Sequence, residues 1–279
     1  MEYFTLNNGT RMPMAGIGTF MIAPADAEIA VESALRSGVR LIDTANAYMN
    51  ESAAGRGIKK SDVARKEIFL VSKLWPTVYE KETAVDEMLK RLGTDYVDLL
   101  FLHQPTDNWR EGYRNIEKAF RAGKVNAIGL SNFPDDLLRE AIEFAEIKPQ
   151  VVQVEAHPYF PQTELKKILA ETGMGLMAWS PLGHGDKALI NEPVFTELAA
   201  KYHKSNAQII LRWHIQSGNV VFPGSKNPEH IRDNFNIFDF ALTDEDMAKI
   251  ATVDKNTRYY HATPELVASY ATMELQPDL

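Results

Sequence analysis

Cysteine is absent from this chain of 279 residues, which removes disulfides, thiolate nucleophiles and cysteine-ligated metal together. Whatever chemistry it performs must draw on oxygen, nitrogen or a bound cofactor. No apolar run approaches the length of a bilayer span, and the start MEYFTLNNGTRMP lacks a basic segment followed by an apolar stretch. A cytoplasmic protein without membrane association is the expectation. Excess positive charge is missing as well: thirty Lys and Arg against thirty-eight Asp and Glu leave a formal charge of −8, which disfavours a phosphate backbone as partner. Nucleic acid binding is not expected, and the chain is taken as a monomer or weak oligomer. The seven histidines form no HxH or HExxH pattern, so no metal site is expected. Gly16 to Gly18 is not followed by the third glycine of a dinucleotide fingerprint, and no GxxxxGK[ST] loop occurs, so a Rossmann or P-loop site fails. No Pro, Gly or Ser tract, like-charge block or low-complexity segment divides the chain, and residues 1–279 are read as one domain.

What the chain does contain is a set of short apolar runs: Ala15 to Gly18, Leu41 to Ile42, Ile68 to Val71, Val97 to Leu102, Ala127 to Leu130, Val151 to Val154, Leu176 to Trp179 and Val220 to Phe222. Most are apolar at nearly every position rather than alternating, as parallel strands buried on both faces require. Amphipathic helices are expected between them. Asp26 to Gly38 places Ala27, Ala30, Val31, Ala34 and Leu35 on one stripe before a glycine stop, and Thr83 to Gly93 and Tyr113 to Gly123 repeat the pattern. Pro134, Pro161 and Pro228 mark expected first turns. Two helices, near Val194 to His203 and Ser205 to Gln216, should fill the long last gap. Eight strand-helix units close into a (β/α)8 TIM barrel. Asn8-Gly9 between Phe4–Leu6 and Arg11–Met14 reads as the turn of an N-terminal β-hairpin. The C-terminal stretch, Asn256 to Leu279, is expected to loop over the active-site rim.

In such a barrel, strand ends share one rim. Asp43, Lys73 and His103 each follow an apolar strand at intervals of thirty residues, and Tyr48 lies just beyond the first. A nearby ammonium favours the phenolate, so Lys73 should bring the Tyr48 pKa toward the working range, with Asp43 keeping Lys73 protonated and aimed. His103 could orient a substrate carbonyl. This set is matched to carbonyl reduction, with Tyr48 giving a proton to the alkoxide as hydride arrives from a nicotinamide. Phe20, Met49, Trp75 and Trp109 suggest a partly aromatic substrate pocket, although Trp75 and Phe20 could equally close the core.

The segments LIDTANAYMNE (Leu41 to Glu51), SKLWP, LLFLHQP, IGLSNF, VVQVEAHP, AWSPLG (Ala178 to Gly183) and VVFPGS, one per strand and in order, resemble the aldo-keto reductase superfamily. Trp179 in AWSPLG is similar to the branch that includes the 2,5-diketo-gluconate reductases. The resemblance implies Tyr48 as general acid, Lys73 and Asp43 as its tuning partners, and His103 as the orienter of a small carbonyl substrate. It further implies that Ser131, Asn132 and Gln153 hold the nicotinamide carboxamide and that Trp179 stacks on the ring. Gly18, Thr19 and Phe20 would border the reactive end of the cofactor. Ser180, Pro181, Leu182 and Gly183 would line the pyrophosphate, and Phe222 to Asn234, with Ser225 and Lys226, would grip the adenosine end.

Departures from the family pattern carry information too. Gly224 and His230 stand where many relatives carry lysine and arginine around the adenosine 2′-phosphate, and each charge-assisted contact is roughly twice a neutral one. NADP(H) is expected, with NAD(H) tolerated. Gln104, Val152 and Met21 also replace residues frequent in the family, which bears on substrate class rather than reaction. Two rivals stand beside this reading: a non-catalytic NAD(P)H-binding regulator on the same barrel, and a barrel hydrolase using Asp43 with Glu51 or Glu155 as its acid/base pair.

Overall fold

The computed structural model describes residues 1–276 and 278. A hairpin comes first, with β1 (Tyr3–Thr5) and β2 (Arg11–Pro13) paired antiparallel and Phe4 opposite Met12. Its turn follows from Asn8-Gly9: Gly9 takes a φ of +85°, and the Asn8 side chain accepts from the Thr10 N–H at 3.0 Å. Asn8 also donates to the Asn126 carbonyl and Asn7 to those of Pro149 and Thr172, which fastens the hairpin beneath the sheet.

Parallel strands follow in one eight-stranded sheet: β3 (Ile17–Gly18), β4 (Leu41–Asp43), β5 (Phe69–Leu74), β6 (Leu99–Leu102), β7 (Ile128–Ser131), β8 (Val151–Glu155), β9 (Gly175–Trp179) and β10 (Asn219–Val221). Spatial order equals chain order, as right-handed crossovers produce. The seam between β3 and β10 is closed by the Gly16 N–H on Val221 O and the Val221 N–H on Met14 O. The helices are α1 (Pro24–Arg36), α2 (Glu51–Lys60), α3 (Ala84–Leu92), α4 (Trp109–Arg121), α5 (Asp135–Phe144) and α6 (Thr163–Thr172). After β9 come α7 (Lys187–Ile190), α8 (Pro193–Tyr202) and α9 (Asn206–Gln216), and after β10 come α10 (Pro228–Phe235), α11 (Asp244–Ala251) and α12 (Pro264–Tyr270). This is the expected (β/α)8 barrel with its hairpin. No helix among the described residues is long and apolar enough to cross a membrane.

Burial explains why these segments hold. In α3 the stripe Val85, Met88, Leu89 and Leu92 is buried, each side chain contributing roughly 1.5–3 kcal/mol relative to exposure. Gly93 then ends the helix in the left-handed conformation (φ +65°), with the Thr94 N–H returning to Leu89 O. Inside the barrel Phe101 lies over Gly129: a Cβ built on Gly129 would fall 2.2 Å from the ring. Only a missing side chain on β7 makes room for that ring.

Local details differ from expectation. Pro228 occupies the first turn of α10, but Pro134 caps α5 from outside, and Pro161 is separated from α6 by Gln162 in a left-handed conformation (φ +61°). The helix α2 had no clear stripe in sequence because Gly57 faces α1 directly, where a Cβ would meet Glu28 O at 2.6 Å. As expected for Asn256 to Leu279, of which Pro277 and Leu279 lie outside the described residues, the C-terminal segment crosses the rim. The Tyr270 ring packs on Trp75, centroids 5.0 Å apart, and the Asp278 carboxylate accepts the Ser52 N–H at the start of α2.

Candidate active site

Four side chains meet where β4, β5 and β6 end. Asp43 is the last residue of β4, Lys73 lies in β5, and His103 follows β6 directly. Tyr48 comes from a single 3-10 turn, Asn46–Tyr48, which Met49 terminates in the left-handed region (φ +55°). Lys73 Nζ donates to Asp43 Oδ1 at 2.6 Å and to Thr44 O at 3.0 Å. The same ammonium lies 4.7 Å from the centre of the Tyr48 ring, and the His103 ring stands edge-on to it at 5.6 Å. The sequence-expected set is therefore brought together.

Electrostatics refine that expectation. Lys73 is 0% and Asp43 1% exposed. Burial pushes the Asp43 carboxyl up and the Lys73 amine down, while each partner's charge and their hydrogen bond pull both back toward ionisation. Burial also pushes the Tyr48 phenol well above its ordinary value, with the Asp43 charge adding to it. The net displacement of the phenol is therefore upward, opposite to the lowering expected of Lys73. His103 is pushed well below the usual histidine value by burial and then by Lys73. Its Nδ1 is buried without a partner, so the imidazole is neutral and Nε2 is the nitrogen available to a ligand. A neutral donor beside a protonated phenol suits a carbonyl oxygen that gains negative charge.

The neighbouring strand ends hold residues of mixed fate. Ser131, last in β7, pairs in register with Gln153 on β8, and its hydroxyl is buried without a partner. Gln153 Nε2 donates to Asp43 Oδ2 at 2.9 Å, so this amide supports the ion pair. Asn132, left-handed at φ +64°, donates to His103 O at 3.2 Å and accepts from Trp179 Nε1 at 2.9 Å. It fixes the orientation of Trp179, whose ring is half-buried at the end of β9. The Thr19 side chain turns inward: its fully buried hydroxyl bonds Thr44 and Asn50. Asn50, which the sequence reading passed over, also donates to the Thr19 and Ile22 carbonyls. Its only signal was its place within the matched segment LIDTANAYMNE.

Around the mouth, Phe20 is 60% exposed and its ring lies 5.0 Å from that of Tyr48, while Met49 is also exposed. Trp75 sits between His103 and Tyr270, at 5.1 and 5.0 Å. Trp109 does not belong to this wall. It is 2% exposed and packs on Phe133 and Phe144 at the start of α4. Beside Trp179 opens a cavity of about 1070 Å³, lined among others by Asn132, Asp107, Arg258, Tyr260 and Val267.

The carboxylates of the hydrolase reading are otherwise engaged. Glu51 is buried, bonded by the Ser72 hydroxyl at 2.5 Å and Arg91 Nε at 2.7 Å. Burial opposes ionisation of Glu155, but its bonds from His157, Tyr259 and Tyr260 outweigh that and hold it below the ordinary carboxylate range.

After β9 the loop from Ser180 to Asp186 bends through positive φ at Ser180, Gly183, His184 and Gly185. Behind it the buried His214 on α9 accepts from Asn219 on Nδ1, which leaves Nε2 to donate to Pro181 O at 3.1 Å. After β10, Phe222 is buried, while Gly224, Lys226 and His230 are exposed and Ser225 and Asn234 half-buried. Gly224 approaches Gly18 so closely that a Cβ would meet Gly18 O at 3.1 Å. Lys226 Nζ lies 3.5 Å from Asp26 Oδ2, an exposed pair of small value. The unpartnered Ser131 hydroxyl, the half-buried ring of Trp179 and the N-terminus of α10 with Ser225 and Lys226 before it fit the carboxamide, ring and phosphates of a nicotinamide dinucleotide.

Comparison with known proteins agrees with this geometry. The sequence profile of the Aldo/keto reductase family matches residues 14–255. Glyoxal reductase of Bacillus subtilis is 44% identical over 258 residues, covering 91% of this chain and 93% of that protein. Morphine 6-dehydrogenase of Pseudomonas putida is 42% identical over 270 residues, covering 91% of each. The crystal structure of a Bombyx mori aldo-keto reductase in complex with NADP superposes with a TM-score of 0.87 at 32% identity, covering 93% of this chain and 95% of that one.

Proposed function

The chain belongs to the aldo/keto reductase family, and from that premise we propose that residues 1–279, working as one barrel domain, reduce small aldehydes, ketones and keto sugars to alcohols. When bound, a reduced nicotinamide supplies the hydride. His103 Nε2–H and the Tyr48 hydroxyl hold the carbonyl oxygen, and Tyr48 gives its proton to that oxygen as negative charge develops. An alkoxide is more basic than an ordinary phenolate, so the proton passes to it. The phenolate left behind faces the Lys73 ammonium, which Asp43, itself held by Gln153, keeps charged and placed. Ser131 and Trp179 orient the nicotinamide, and Ser180 to Gly183 lie along the pyrophosphate.

The observation that carries this reading is the buried 2.6 Å Asp43–Lys73 pair held 4.7 Å from the Tyr48 ring, with His103 beside it. Burying two charges is expensive unless they serve. Dicarbonyls of the glyoxal type and keto sugars of the 2,5-diketo-gluconate type are the substrates to try first, given the relatives and the Trp179 platform. NADPH is the proposed donor with NADH accepted, since Gly224 and His230 bring no fixed charge and Lys226 brings one. A carbonyl panel assayed with both reduced cofactors tests the reading. No cofactor consumption with any carbonyl would defeat it, and a Tyr48→Phe protein as active as wild type would favour the regulator instead.

A further inference from the structure

The C-terminal segment is fastened to the rim by contacts that the proposed chemistry does not use. Glu155 ends β8 and is 3% exposed. Its Oε1 accepts the Tyr259 N–H at 2.6 Å and its Oε2 the Tyr260 N–H at 3.1 Å, with His157 Nε2 2.9 Å from Oε1. A buried carboxylate therefore pins two consecutive backbone amides. From that anchor the Tyr259 ring lies 4.9 Å from His157 and 5.9 Å from His184, and its hydroxyl donates to Asp186 Oδ2 at 2.6 Å. Asp186 closes the loop that runs from Ser180 through four left-handed residues. Short-range turn bonds shape this backbone, with the Gly183 N–H on Ser180 O, the Gly185 N–H on Leu182 O and the Asp186 N–H on Gly183 O, and His214 holds it from behind at Pro181 O; its outer side is placed by what it touches. Tyr259 is the touching group twice over, since a Cβ on Gly183 would stand 3.0 Å from its ring. The next residue, Tyr260, stands edge-on to Trp179 at 5.8 Å and shares a 2.8 Å hydroxyl contact with Tyr270, which packs on Trp75.

We propose that Glu155 and Tyr259 are positioning residues that tie the loop from Ser180 to Asp186 to the C-terminal segment. Release of the cofactor then requires breaking the Tyr259–Asp186 bond and loosens the aromatic wall formed by Tyr260, Tyr270 and Trp75. The proposal rests on the reductase reading above, in which this loop lies along the pyrophosphate. Cofactor residence and the carbonyl pocket thereby share one fastening.

The test follows NADPH leaving the full-length protein, read as recovery of tryptophan fluorescence after displacement. Tyr259→Phe removes one hydrogen bond to a partly exposed carboxylate, and should raise the off-rate about fivefold to tenfold. Because Tyr259 and Asp186 act through one bond, the double variant with Asp186→Ala should release no faster than Asp186→Ala alone. Without cofactor, trypsin should cut after Arg258 faster in Glu155→Gln than in wild type, since Glu155 holds the N–H of that very peptide bond. Should Glu155→Gln fail to fold, the Tyr259→Phe off-rate decides by itself. Equal off-rates for wild type and Tyr259→Phe, or fully additive effects in the double variant, would overturn the fastening while leaving the reductase intact. Absence of saturable quenching in wild type would remove the reductase reading and this inference together.

Discussion

Replacing Lys73 by methionine keeps the length of the side chain and removes its charge, leaving the 1%-exposed Asp43 as a buried carboxylate with only Gln153 to bond it. Breaking a buried pair from one side costs about 3–5 kcal/mol, because the orphaned ion keeps its desolvation penalty. The carboxyl can escape by holding a proton, and this gives the prediction a sign. Burial already pushes the Asp43 pKa up, and without Lys73 the opposing pull disappears. The folded variant then binds more protons than its unfolded chain at every pH between 3.8, the value of a free aspartate, and the elevated folded value. Stability of Lys73→Met should therefore fall as pH rises through that window, by about 1.4 kcal/mol per unit. Urea unfolding of wild type, Lys73→Met and the pair Asp43→Asn/Lys73→Met at pH 5, 6.5 and 8 measures it. The double variant, with neither member of the pair charged, should be more stable than Lys73→Met at pH 8 and should lack its decline with rising pH. A Lys73→Met protein that loses under about 1 kcal/mol, or whose loss does not grow with pH, would refute the view that the rim holds an ion pair in a dry site.

Tyr48→Phe should lower turnover by about a hundredfold to ten-thousandfold while cofactor-induced quenching of tryptophan fluorescence stays as in wild type, separating proton donation from binding. His230→Arg adds a guanidinium at an exposed position of α10. It should tighten NADPH binding about tenfold and leave the NADH dissociation constant unchanged, as titration of either cofactor would report. His214 is pushed down to about 3 by burial, below the 6.5 of a free histidine, so the unfolded chain takes up a proton that the folded one refuses. Its contribution is complete above pH 6.5 and is lost as pH falls toward 3, and wild type should lose stability on acidification more steeply than His214→Gln, by up to about 1.4 kcal/mol per unit.

Much of this fold was legible because parallel strands buried on both faces must be apolar throughout, and every such run became a strand within two residues of its expected bounds except Ile68 to Val71, whose strand runs on three residues to Leu74. The hairpin was equally plain from Asn8-Gly9. The helix α2 was not, since two glycines and a charged face conceal a helix that depends on close approach to α1 and α3. At the rim, regular spacing placed Asp43, Lys73 and His103 correctly. It could not show that Gln153 would turn its amide toward Asp43, or that Thr19 would point inward to Asn50. Those choices are made by long-range hydrogen bonds, which leave no period in the chain. Trp109 misled for a related reason: an aromatic residue beside a strand end reads alike whether it opens a helix into the core or lines a cleft.

The pairing of Phe101 with Gly129 makes two positions on adjacent strands a single inherited character. A lineage that gains any side chain at 129 while the phenyl ring is present must accept overlap at the centre of the barrel. One that first trims residue 101 passes through an emptied interior, at about 3–5 kcal/mol for a phenylalanine cut to alanine. Neither single step is cheap, so descendants should either keep both residues or be found with both exchanged.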